Sequence, residues 1–152
     1  MASRDQGASD EARALGTYVK LVRASQTLLA AVARRVAAAG LTQSQFGVLE
    51  TLYHLGPMSQ RALGRKLLIS GGNVTMVVGN LERRGLIARR RRAEDARVMD
   101  VSLTPKGRRL VARLFPQVAR LVVAKMAALG GREQAQLGRL ARKLGRAAAE
   151  LD

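Results

Sequence analysis

Between Gly56-Pro57 and Gly85 lie two short helical patterns, each opened by a serine, and no other feature of the chain narrows its fold so far. Ser59 stands where its hydroxyl can cap a helix that buries Ala62, Leu63 and Leu67. After Leu68-Ile69, Ser70 can cap a second, in which Val74, Val77, Val78 and Leu81 recur at i, i+3, i+4 and i+7 before Gly85 at the C′ position. A short helix, a turn of about three residues and another helix make a helix-turn-helix. Leu86 to Arg90 then predicts a strand, and Met99, Val101 and Leu103 alternate with Asp100 and Ser102 as a half-buried strand does. The charged stretch between them is a hairpin tip. A helix-turn-helix followed by a basic hairpin is a winged helix.

Charge locates the purpose of this segment. The 152 residues carry 27 Lys and Arg against 11 Asp and Glu, a formal net charge of +16. Residues 60–113 hold 14 of the basic and 4 of the acidic residues. An evenly scattered excess reads as a solvated face, but Arg89, Arg90, Arg91 and Arg92 are consecutive, with Arg97 close behind. Such concentration implies an anionic partner, nucleic acid ahead of acidic lipid. A membrane-surface helix would set its cations opposite an apolar stripe, whereas these arginines fall in a strand and turn.

The flanks are helical. Residues 1–9 have too little apolar content to fold and are expected to form a disordered tail, leaving 10–152 as one domain. Leu15, Tyr18, Val22, Leu29, Val32 and Val36 predict one long amphipathic helix ending at Gly40. Thr42 to Gln45 reads as a capping box opening a helix to Leu55. Thr104-Pro105 opens another that carries Leu110, Leu114, Val118, Leu121 and Val122 to about Leu129, with Pro116 inside it, and Gly130-Gly131 precedes a last helix with Leu137, Leu140, Leu144 and Leu151 on one side. No uncharged apolar run is long enough to span a bilayer, and the opening is no signal peptide, so a cytoplasmic protein is expected. There is no cysteine and a single histidine, His54, which removes thiolate zinc sites, cysteine nucleophiles and multi-histidine metal sites together.

If Val74, Val77, Val78 and Leu81 face the core, the opposite meridian of that helix runs through Gly72, Met76, Gly79 and Arg83, flanked by Thr75 on one side and Asn73 and Asn80 on the other. Asparagine can pair with adenine in the major groove, and Thr or Met can touch a thymine methyl. Glycine costs about 0.5 to 1 kcal/mol per helix position relative to alanine, so Gly71, Gly72 and Gly79 ask for a reason. Close approach to DNA is the favoured one, with a frayed helix start as the alternative for the first two. Amides at Ser70 to Asn73 can also meet phosphate. Arginines in the tip suit the narrow minor groove, and Asp95 is near enough to brace Arg97. The candidate DNA-binding set is Ser59, Gln60, Arg61, Ser70, Gly71, Gly72, Asn73, Thr75, Met76, Asn80, Arg83, Arg91, Arg92, Asp95 and Arg97.

Leu41 to Gly107 resembles the DNA-binding region of the MarR family of bacterial transcriptional regulators, through LTQSQFGVLETLYHLGP, the capped helix pair, NLERRGLI, the wing with EDAR at Glu94 to Arg97, and the closing LTPKG. The resemblance implies a mainly α fold with a small β-hairpin: a winged helix-turn-helix DNA-binding region at 41–104, flanked by dimerisation helices at 10–40 and 105–152. It implies that Ser70 to Met76 begin the recognition helix and that Arg97 is the wing-tip contact, braced by Asp95. Many members have arginine at both positions after the aspartate, where this chain has Ala96 first, so Arg91 and Arg92 are candidates to compensate. It implies a homodimer on a pseudo-palindromic operator, with recognition helices roughly 34 Å apart. The alanine- and leucine-rich stripes of the flanking helices, more than one winged helix could cover, point the same way.

Many relatives release DNA when a small aromatic or phenolic anion binds between the dimer helices and the winged domain. Candidate lining residues are Tyr18, Phe46, Tyr53, His54 and Phe115, with Arg23 as an anion partner. Four of these are the chain's only aromatics, which a core would claim in any case. Absence of cysteine excludes sensing by thiol oxidation. Neither a catalytic motif nor a cofactor or metal site is evident, so no enzyme is expected. Two readings follow: a ligand-responsive, sequence-specific repressor, or a nonspecific or architectural nucleic-acid-binding protein in which charge does nearly everything.

Overall fold

The computed structural model describes residues 2–67 and 71–149. In chain order the elements are α1 (Ala2–Ala37), α2 (Gln43–Leu55), β1 (Met58–Ser59), α3 (Gln60–Leu67), α4 (Gly71–Arg83), β2 (Ile87–Arg91), β3 (Met99–Leu103), α5 (Pro105–Met126) and α6 (Gly131–Ala149). Most boundaries follow from the local signals. The Gln45 amide donates to Thr42 Oγ1 at 3.2 Å and the Thr42 amide to Gln45 Oε1 at 3.0 Å, closing the capping box. Ser59 Oγ accepts from the Ala62 amide at 3.1 Å at the head of α3. Gly85, at φ +66°, ends α4: its amide donates to Glu82 O at 2.8 Å and that of Leu86 to Leu81 O at 3.0 Å, a Schellman closure. The Ser70 cap lies outside the described residues.

Three expectations are corrected. Residues 2–9, read as a disordered tail, continue α1. Once a helix is nucleated each added residue gains a hydrogen bond, and no proline interrupts this stretch, so it needs no packing to propagate. The sheet has three strands rather than two, ordered β1-β3-β2, with Met58 opposite Val101 and Ser59 opposite Asp100. Two residues are too few for any periodicity to disclose. Finally, α5 runs unbroken through Pro116, with the Gln117 side-chain amide donating to Arg113 O at 2.9 Å, and ends at Met126 rather than Leu129.

The core lies between the helix-turn-helix, the sheet and the middle of α5. Leu49 and Leu52 of α2, Leu63 of α3, Val78 and Leu81 of α4, Val101 of β3 and Val111 of α5 are all almost wholly buried. Burying Val74, Val77, Val78 and Leu81 contributes roughly 1.5 to 3 kcal/mol each, more than its three glycines cost the helix. At the head of α5, Thr104 Oγ1 accepts from the Gly107 amide at 3.1 Å and donates to Gly85 O at 2.7 Å, while the Thr104 amide reaches Leu86 O at 3.1 Å. Gly107 sits against that same carbonyl: a Cβ there would lie 1.9 Å from Leu86 O.

Outside this core the flanking helices are bare. Every residue of α6 from Gly131 to Ala148 is exposed, including Leu137, Leu140 and Leu144. So are Leu15, Tyr18 and Val19 of α1 and Val122 and Val123 of α5. Leu151 lies outside the described residues. No helix is long and apolar enough to cross a membrane among the described residues.

Candidate nucleic-acid interface

Helix α4 turns its valines inward and leaves Gly71, Gly72, Asn73, Thr75 and Met76 exposed, Met76 by 59%. None of its glycines is required by the fold. Gly71, Gly72 and Gly79 have negative φ, and a Cβ built on any of them meets nothing within 4 Å. The protein itself sets no demand for small residues on this face. Thr75 is held from two sides: its hydroxyl donates to Gly71 O at 3.0 Å and accepts from the Gln60 side-chain amide at 2.8 Å. At the other end of the helix, Arg83 donates to Asn80 Oδ1, and Asn80 is half-buried.

The wing is a hairpin whose arginines are mostly engaged. Arg89 fixes β2 to α4 through Glu82, with Nε at 2.8 Å and Nη2 at 2.5 Å from Oε2. Arg92 grips Asp100 by two bonds of 2.9 and 2.6 Å. Arg91 donates to Ala96 O at 3.2 Å. At the tip, Asp95 Oδ1 accepts from both the Arg97 amide, at 3.0 Å, and Arg97 Nε, at 3.1 Å. The Arg97 side chain nevertheless remains 90% exposed, braced at its base and projecting into solvent. The bonded guanidinium groups hold the Glu82, Asp95 and Asp100 carboxyls below the usual carboxylate range, and Asp100 raises Arg92 in return. Three of the four acidic residues in 60–113 therefore act as arginine clamps.

Between α3, the start of α4 and the wing lies an open cleft of about 1000 Å³. Arg61, Arg65, Arg92 and Arg97 line it together with Gln60, Thr75 and the clamp Asp95. Four guanidinium groups facing one carboxylate across a trough suit a phosphodiester backbone. Sequence reasoning placed Arg61, Arg92 and Arg97 in this region and missed Arg65, which the helical spacing from Arg61 could have disclosed. It also missed the Glu82 and Asp100 clamps.

The proposed ligand residues do not assemble as one pocket. Tyr53, His54 and Phe115 come together, with ring centroids 5.1 Å apart for Tyr53–His54 and 4.5 Å for His54–Phe115, and the Arg108 guanidinium lies 5.7 Å from the centre of the Tyr53 ring. Phe46 is withdrawn into the core at 4% exposure, because α2 turns it inward with Leu49 and Leu52. Tyr18 and Arg23 are exposed on α1. Arg108, on the first turns of α5, is the cation that lies beside these rings. Among the described residues no group of His, Asp and Glu could hold a metal ion.

The model of the MarR family matches residues 41–99, from the start of α2 through the wing. Beyond that region, a curated but uncharacterised HTH-type transcriptional regulator of Bacillus subtilis, YkoM, is 33% identical over 133 residues, covering 88% of this chain and 86% of its own. The chain belongs to the MarR family. This MarR protein is accordingly a DNA-binding transcriptional regulator and not an enzyme. Its fold agrees with that of Bordetella bronchiseptica BpsR, at a TM-score of 0.78 and 28% identity over 86% of this chain and 98% of the other. Streptomyces coelicolor PcaV, solved with its natural ligand, is 31% identical with a TM-score of 0.66, over 76% and 90% of the two chains.

Proposed function

We propose that this MarR protein is a homodimeric repressor that reads a pseudo-palindromic operator and is released by a small aromatic or phenolic acid. The observation that carries the reading is the outward face of α4, whose glycines have open space in front of them and whose exposed groups are small or polar apart from Met76. A helix that binds DNA by charge alone has no use for such a face, whereas one lying in the major groove does. Around it, the arginine-lined cleft supplies affinity and the projecting Arg97 reaches the minor groove. Ser59 to Arg61, the start of α4 and Arg97 make the interface, while Arg91 and Arg92 shape the wing. Asn80 and Arg83, bonded to each other, flank it.

Dimerisation is supported by the leucines of α6 and the apolar residues of α1 and α5, which their own chain leaves uncovered. Ligand response is supported by Tyr53, His54 and Phe115 beside Arg108, a stack of ring edges with a cation suited to an aromatic carboxylate. DNA binding by BpsR is regulated by 6-hydroxynicotinic acid, a molecule of that class. Selecting binding sites from random DNA tests the central reading. Asn73→Ala is expected to relax preference at one base position by about 1 to 3 kcal/mol while leaving the salt dependence nearly unchanged. If random DNA competes equally with every selected site, the protein is a nonspecific binder and the reading fails.

A further inference from the structure

We propose that Thr75 reads the 5-methyl group of an operator thymine through its own Cγ2 methyl, and that Gln60 is the positioning residue that holds it so; this rests on the reading of α4 as the base-contacting helix. A threonine hydroxyl has one proton and two lone pairs. The proton of Thr75 goes to Gly71 O, which can only accept, at 3.0 Å. Gln60, at the head of α3, must then be the donor across its 2.8 Å contact with Oγ1. A helical threonine otherwise divides between two rotamers, and this pair of bonds selects one.

With its one proton committed to Gly71 O and one lone pair to Gln60, the hydroxyl can donate to no base edge, and the methyl is the group that Thr75 turns to the duplex. Among the four DNA bases only thymine presents a methyl in the major groove. Gly71 and Gly72, open where a Cβ would stand, let the helix come near enough for that contact. The exposed thioether of Met76, one residue on, is the rival reader.

Deoxyuridine removes the thymine methyl and nothing else, so the test replaces each thymine of a selected operator in turn and measures binding by fluorescence anisotropy. For the natural chain, one replacement per half-site is expected to weaken binding about fourfold, the value of one buried methyl. Thr75→Ser, which keeps both hydrogen bonds, is expected to bind the two DNAs alike, and Gln60→Leu, which releases one side of the hydroxyl, to lose part of the discrimination; full discrimination in Gln60→Leu overturns the positioning role. Melting curves check that each variant is folded. Equal binding of thymine and deoxyuridine operators at every position overturns the inference, as does a deoxyuridine effect that survives Thr75→Ser or disappears instead in Met76→Ala. Failure of the underlying reading is separate and comes earlier, because no operator would then be preferred over random DNA.

Discussion

Gly107→Ala places the sharpest demand on the fold. Its new Cβ would stand 1.9 Å from Leu86 O and 2.9 Å from Leu86 C, where ordinary contact begins at 3.4 Å. The carbonyl cannot turn aside freely, since it accepts the Thr104 amide at 3.1 Å. The head of α5 must therefore retreat by roughly 1 Å or more, and the Thr104 cap on the Gly107 amide goes with it. Losing the cap costs about 1 kcal/mol and the backbone bond about 1, while strained repacking costs about 1 to 3. The helix propensity of alanine returns about 0.5 to 1, leaving a net destabilisation of roughly 2 to 4 kcal/mol. For a domain of this size that lowers the melting temperature by roughly 5 to 15 °C. Thermal unfolding followed by circular dichroism measures it. A melting point within about 2 °C of the natural chain would refute the reasoning, since it would mean that α5 approaches Leu86 less closely than described.

Gly72→Ala should do the reverse, leaving melting unchanged or slightly raised while operator affinity falls; unaltered affinity would show that no duplex approaches that face. Arg97→Ala should weaken operator binding and lower the log-log salt slope by about one per wing, which a titration across salt concentrations reads. Leu140→Glu should shift the mass in light scattering at micromolar concentration from twice 16.4 kDa toward 16.4 kDa, and a natural chain already at the lower mass would end the dimer model. Acid should loosen the wing. The Glu82, Asp95 and Asp100 carboxyls lie below their ordinary values of 4.5, 3.8 and 3.8 when folded. Their clamps are thus fully present above those values and are lost as pH falls through the lower folded ones. Melting temperature should be level above about pH 5 and decline below about pH 4, less steeply in Glu82→Gln; a rise on acidification would contradict the pairing.

Much of the architecture was legible because its signals are local. A capping box, a Schellman glycine and an i, i+3, i+4, i+7 stripe each involve neighbours in sequence, so α2, α4 and the hairpin could be read directly. What escaped depends on distant partners. The strand Met58–Ser59 exists because β3 lies beside it. Arginines of the basic run are tied down: Arg89 by a glutamate seven residues upstream, and Arg92, a candidate contact, by an aspartate eight residues downstream. Aromatic residues were gathered by type, which could not separate Phe46 inside the core from the half-buried Phe115 at its edge. The importance of Gly107 emerges only when the Leu86 carbonyl is seen against it.

Helix α6 is tied to its own chain only near its start, where the Gln134 side-chain amide donates to Met126 O and Leu129 O, and its leucines stay exposed among the described residues. In the proposed dimer the exposed leucines of α6 would pack against the partner, and the stability they add would follow the law of mass action. Dilution would then fray the nineteen residues of α6 first, opening them to proteases before the DNA-reading core loosens. The cellular abundance of such a dimer would then be tied to its own lifetime, because a scarce subunit would also be the more readily cleaved one.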